Sequence, residues 1–446
     1  MKHDTFPVIL SFIVCAMVGP FLAAQATAGT ADPIEDLLLD DVPVVLSASR
    51  LSQPISESPA SMTIIDRDTI EASGALDIPD VLRLVPGFQV SHISGANQTA
   101  QYHGLASQHP KRMQILIDGR SVYHSAFGGV HWDSLPITLD DVDHIEVLRG
   151  SNAATFGSNA FMGVVNIITR HAAQTRGTSV TLLGGYGGTR ETRLRFGDRI
   201  GKLDYRVSVD AFSTDGFPNP LDTHVYWDST GGPVPASSVI TGTPLQPETT
   251  LYRLARNDSQ AIGRFEFRGD WLLDNGDNLL FELGYVHNDR DNSLDKGIID
   301  LLHPDENLRV SSQLLKWSRF TPSLGDISLQ LSHNRFRFDS RFTETLIKRE
   351  AGILINFGAV AAGQELRNDR YDLEWQHTPP SSESGWRVVW GGGLRLDTVS
   401  GTNFALGDKD VQRKQYRLFV NTEKHLGRRE QWVINAGAML EHQQDL

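Results

Sequence analysis

From Gly177 onward the chain alternates between apolar and polar positions. Leu203, Tyr205, Val207, Val209 and Ala211 interleave with Asp204, Arg206, Ser208 and Asp210. A period of two gives an extended strand one apolar and one polar face. The same rhythm returns at Leu279, Phe281, Leu283 and Tyr285, at Ile327, Leu329 and Leu331, at Tyr416, Leu418 and Val420, and at Trp432, Ile434, Ala436, Ala438 and Leu440. About 11 such segments follow one another, each near the ~10 residues of a membrane-spanning strand. Their joins also alternate. Residues 274–277, 321–325 and the Pro379-Pro380 turn are short, whereas 214–257, 289–307 and 339–366 are long. Short turns on one side and long loops on the other predict an outer-membrane barrel. A soluble β-sandwich would alternate too, but would not sort its loops by side.

Before residue 170 the pattern is different. Residues 61–65 read as a strand, Asp66 can cap a short helix that Gly74 ends, and Asp77 with Pro79 can start a second helix that stops at Val85-Pro86-Gly87. Residues 115–119 read as a strand entering a tight turn. Two further apolar runs, 145–148 and 164–168, flank a segment of small residues punctuated by Gly150, Gly157 and Gly163. That spacing is neither a P-loop nor a dinucleotide fingerprint. A compact unit of mixed helices and strands is expected here.

The N-terminus carries Lys2, an apolar run over residues 8–18 and Ala26-Thr27-Ala28, the pattern of a secretory signal with a small-x-small cleavage site. Cys15, the single cysteine, lies inside the segment to be removed, so no disulfide is expected in the mature chain. An acidic linker then leads to Asp41, Val42, Pro43, Val44, Val45 and Leu46. An extended apolar stretch beside a proline is suited to strand addition on a partner's sheet edge. Alternation alone does not distinguish it from a first core strand.

Composition narrows the classes. The 446 residues carry a net charge of -13 with no basic block, which argues against nucleic acid as a partner. A hydrophobic fraction of 40% with 40 glycines is not the profile of a helical membrane protein and leaves a barrel open. Recognition residues are expected in the polar, glycine-containing segments 91–99 and 121–133, with His92, Tyr102, Tyr123, His124, Phe127, His131 and Trp132 as the candidates. The histidines lack tight ligand spacing, so neither a metal nor a cofactor is expected. No Gly-x-Ser-x-Gly or equivalent accompanies a base, which argues against an enzyme.

Residues 141–169 resemble the end of the plug domain of TonB-dependent outer-membrane receptors. Glu146, Arg149, Gly150, Phe156, Gly157, Gly163, Val164, Asn166, Ile167 and Thr169 fall in register with that family's Ile-Glu-Val-x-Arg-Gly run, aromatic-Gly pair and Gly-Val-x-Asn-Ile-x-Thr strand, and the pieces at 77–82, 85–88 and 115–119 also match. The resemblance implies an α+β plug domain followed by antiparallel transmembrane β-barrel strands. The expected division is a signal peptide at 1–28, a linker with the energy-coupling box at 29–50, a plug at 51–170 and a partial barrel at 171–446. It also implies import of a scarce substrate, siderophore-bound iron or a similar small molecule or metal chelate. TonB, with the inner-membrane ExbB-ExbD complex, would contact residues 41–46, and outer-membrane lipid would surround the strands. A binding or adhesion barrel without energised transport is the alternative. In the family two plug arginines are thought to pair with barrel glutamates. Here His103 stands in the place of the first, so His103, Glu146 and Arg149 are the expected latch. The family closes with about 22 strands, so a chain with about half that number is expected to be a fragment lacking roughly 270 residues, by extrapolated strand density.

Overall fold

The structure is a computed structural model and describes residues 44–45, 50–51, 53–54, 60–94, 97–103, 112–216, 221–224, 226–227, 233–234, 252–255, 259–291, 305–350, 353–381, 385–402, 410–426 and 432–445. The signal segment and most of residues 41–46 lie outside these. Val44–Val45 is described, and pairs antiparallel with Gln53–Pro54.

The first unit is built on a five-stranded mixed sheet in the order Ser61–Ile65, Val142–Arg149, Gly163–Thr169, Met113–Ile117, Arg120–Ser121. Met113–Ile117 runs parallel to Gly163–Thr169, and the other pairs are antiparallel. All five residues of Met113–Ile117 are buried, as expected of a run without polar alternation that is covered on both faces. Gly163 begins its strand where the Leu148 carbonyl oxygen would sit 2.3 Å from any added Cβ. Only glycine permits that approach.

Two helices lie in the stretch between the first strand and Met113–Ile117. Arg67–Ser73 starts at Asp66, whose carboxylate accepts from the Thr69 amide at 2.8 Å, and ends at Gly74 in the left-handed region (φ 68°). Ile78–Leu82 starts at Asp77, which accepts from the Asp80 amide at 2.9 Å, with Pro79 in the first turn. Their apolar sides, Ile70, Ile78, Val81 and Leu82, join Ile65, Ile115, Ile117, Ile145, Val147, Val165 and Ile167 in one core. Each such side chain contributes about 1.5–3 kcal/mol on burial. A hairpin, Phe88–Ser94 with Asn97–Tyr102, stands beside this core.

The second unit is an eleven-stranded antiparallel sheet whose strands lie in chain order, from Gly177–Gly184 at one edge to Trp432–Asp445 at the other. One face carries Arg206, Ser208, Asp210, Glu266, Arg268, Asn288, Arg290, Asn334 and Arg370, all buried. The other exposes Phe265, Phe281, Leu315, Leu329, Leu331, Leu394, Leu418 and Leu440. This is the inverse of a water-soluble protein and fits a wall between a polar lumen and lipid. Among the described residues no helix is long and apolar enough to cross a membrane. The wall also curls round the first unit, because Thr181 on the first strand and Glu441 on the last both reach it.

The loop expected at residues 339–366 is replaced by strand. Gly325–Glu350 and Ile353–Thr378 are 26 residues each and stay paired nearly to their joint, with one irregularity between Thr345 and Ile347.

Candidate functional site: the seam between stopper and wall

Four aspartates of the first unit meet arginines of the wall. Asp118 sits in the tight turn after Met113–Ile117 at φ 49°, where its carboxylate accepts from the Thr169 amide (3.1 Å) and hydroxyl (2.8 Å). It lies 3.6 Å from Arg268, which also donates to Thr169, Asp270 and Glu282. Asp141 lies 3.4 Å from Arg206 and accepts from Ser208 at 3.0 Å. Arg206 has no exposed side-chain surface; it donates to Glu266 at 2.6 and 3.1 Å and to the Arg170 carbonyl at 2.8 Å. Asp140 faces Arg193 at 3.3 Å and its carbonyl accepts from Arg195. Asp133 accepts from Arg290 (2.7 Å), Gln260 (2.9 Å) and Asn288 (2.9 Å). Buried carboxylates and guanidiniums are tolerated only when paired in this way.

At the other end of the unit the polarity reverses. Arg50 donates to Glu374 on the wall, Arg417 binds the same carboxylate, and the Arg50 guanidinium lies over the Phe419 and Phe156 rings at 4.3 and 4.9 Å. Between these two contacts the segment 121–133 is held by both chemistries. The Ser125 hydroxyl donates to Asp397 at 2.7 Å, while His124, Phe127 and His131 pack on Phe336, with His131 stacked at 5.1 Å. Phe336 belongs to an apolar patch of the lumen wall with Ile262, Val286, Leu308, Val310, Phe338 and Leu366. Pro136 sits directly against Gly284 of the wall, where an added Cβ would come within 2.7 Å of the proline ring.

The candidate recognition residues are therefore placed differently from expectation. Tyr123, His124, His131 and Trp132 are buried, because the segment carrying them is clamped between the core and the wall. Burial pushes the Tyr123 phenol up to about 12. Phe127 is half-buried on the wall patch, Tyr102 packs on Phe88 and His103, and His92 is exposed on the hairpin. The residues of the expected latch lie on two elements, Glu146 and Arg149 on Val142–Arg149 and His103 in the turn after Asn97–Tyr102. Glu146 and Arg149 are three residues apart on one strand and so point to opposite faces. Glu146 accepts from Asn166 at 3.2 Å, and His103 occupies a turn at φ 57° where its amide donates to the Gly87 carbonyl. Arg50 with Glu374 is an arginine–glutamate pair that joins the first unit to the wall. Asp77 and His144 inside the unit are also shifted from their ordinary values. Burial raises the Asp77 carboxyl to about 6, and His144, despite burial, is raised by its hydrogen bonds to Glu146 and Asp143. Among the described residues no group of three or more His, Cys, Asp or Glu could hold a metal ion.

A small domain is thus wedged by ion pairs against the polar face of an eleven-stranded sheet whose other face is apolar. Residues 54–164 match the family model described as TonB-dependent Receptor Plug Domain. The chain is 32% identical over 174 residues to a vitamin B12 transporter of Vibrio vulnificus, covering 38% of this chain and 28% of the relative. It is 25% identical over 373 residues to one of Photobacterium profundum, covering 82% and 52%. Among solved structures it resembles the ferric enterobactin receptor of Pseudomonas aeruginosa (TM-score 0.60, 17% identity, 91% of this chain and 60% of that one). It also resembles the ferric-catecholate import receptor of Escherichia coli (TM-score 0.59, 12% identity, 88% and 60%). Residues 54–164 thus match the plug domain of the TonB-dependent receptors, the chain as a whole is similar to members of that family, and it spans roughly a quarter to a half of the length of the B12 transporters cited.

Proposed function

We propose that the protein imports a scarce small molecule or metal chelate, of the siderophore-iron or cobalamin class, across the bacterial outer membrane, with the plug gating the lumen. Export by the N-terminal signal and the lipid-facing strands support the location. The reading rests chiefly on the node at Arg50. The extended stretch around Val44–Val45 lies five residues before Arg50, and Arg50 joins the plug's leading end to the wall through Glu374. Tension on that stretch from a periplasmic partner, TonB with ExbB-ExbD, would reach this contact first. Asp41, Val42, Pro43, Val44, Val45 and Leu46 are the proposed partner strand. Substrate is proposed to meet the plug from the side of the long loops, where His92 and Phe127 remain the accessible members of the recognition set.

Deleting residues 41–46 from the full-length gene tests this. Uptake of labelled ferric siderophore or cobalamin is expected to stop while binding to whole cells persists. Undiminished uptake would support the alternative, a binding barrel without energised transport.

A further inference from the structure

The outward face of the wall carries a row of arginines that the lumen chemistry does not use. Arg309 and Arg337 are direct cross-strand partners, and so are Arg337 and Arg367. Like charges placed opposite one another destabilise a sheet unless something neutralises them. Relief from the protein is partial. Asp369, one register step below, accepts from Arg367 and Arg335 at 2.7 Å each and lies 2.9 Å from His333. Among the described residues Arg309 and Arg337, both exposed, have no hydrogen-bond or ion-pair partner, although Asp289 lies near enough to Arg309 to feel its charge.

Position identifies what could supply the missing charge. Below the row the same face is apolar, with Leu315, Leu329 and Leu331 exposed, and Tyr371 stacks on His333 at the boundary. From Ile327 near the short turn to Arg337 is ten residues. At ~3.3 Å each and a tilt near 45° this is roughly 23 Å, close to the height of a barrel's membrane band. Its lower part, up to Leu331 and Tyr371, is apolar, and its upper part carries His333, Arg335 and Asp369. The arginines thus sit above the apolar surface, at the top of this polar collar. One further step toward the loops, Asp339 faces Glu365, so an anion approaching from that side is repelled. The anion must arrive from the membrane.

We propose that Arg309, Arg337 and Arg367 bind the phosphate of an outer-leaflet phosphorylated glycolipid whose acyl chains lie on the leucine surface beneath. This rests on the membrane-spanning reading above. Guanidinium is suited to phosphate by its bidentate geometry.

The test uses the full-length protein in detergent, diphosphorylated lipid A as probe, and native mass spectrometry to count bound lipid. Folding is followed separately by heat-modifiable gel mobility. Wild-type protein is expected to retain lipid A. The double variant R309Q/R337Q is expected to bind at least tenfold more weakly while keeping its gel shift, and K202Q at the opposite end to bind as wild type. If the double variant loses its gel shift, R309Q and R337Q alone are each expected to weaken binding several-fold. Equal binding by a folded variant, equal binding of lipid A stripped of phosphate, or full displacement by inorganic phosphate would each overturn the lipid site. A wild-type protein that partitions into water would overturn the membrane reading itself.

Discussion

The plug is held to its wall in two ways that differ in redundancy. Along the first strands four aspartates, Asp118, Asp133, Asp140 and Asp141, each engage a different arginine, and each arginine has a second or third acceptor. At the leading end a single arginine, Arg50, shares one carboxylate with Arg417. The first arrangement spreads a load over many contacts, so loss of one leaves the rest. The second has a single ion-paired carboxylate, backed by the Phe419 ring, the Gln376 amide and the packing of Leu51 on Val389. Under the proposed function this asymmetry would let the domain part from the wall at its leading end while staying registered elsewhere.

Three experiments would break or sharpen the contrast. The largest effect is expected from R206A, because it strands Glu266 and Asp141 without their buried partner. A loss of about 3–5 kcal/mol is expected, read as the urea midpoint of the folded barrel, and a shift below about 1 kcal/mol would deny the seam its weight. Next, E374Q should cost less, about 1–3 kcal/mol, and act locally. Protease cleavage near residues 44–60 should rise several-fold while hydrogen exchange in Val142–Arg149 stays constant. Equal loosening at both places would erase the distinction drawn here.

The smallest effect is a control on pH that touches neither anchor. Asp77 has its carboxyl raised to about 6 by burial. A raised folded-state value means its contribution is fully present below the unfolded value near 4 and is lost as pH rises through about 6. Exchange in the helix Ile78–Leu82 should therefore quicken between pH 4 and 6. D77N, which keeps the cap without the charge, should flatten that slope by an amount worth about 1–2 kcal/mol. A slope that survives in D77N would assign it to His144 or another group.

The strands were legible because their alternation is simple: one face meets lipid and the other meets water or the plug. The turn at Asp118 and the caps at Asp66 and Asp77 were legible for a local reason, since a few neighbouring residues decide them. The seam was not. Arg50 and Glu374 are 324 positions apart, and nothing in either neighbourhood marks the pairing. Asp133 and Asp141 read as ordinary polar residues in loops and strand starts. The long ladder beyond residue 339 was hidden by a charged, irregular stretch that read as loop. His124 and His131 looked available because loops usually are, yet they fill space against Phe336.

The contact of Pro136 with Gly284 has a consequence for how this pore can vary. Charge pairs on either side hold the domain in register, so even one methyl at position 284 would press on both the Ser312 hydroxyl of the wall and the Pro136 ring of the domain. At that spot the tolerance of the channel lining to change is governed by clearance and not by polarity. A bare backbone position there leaves just the clearance the domain needs to seat against the wall.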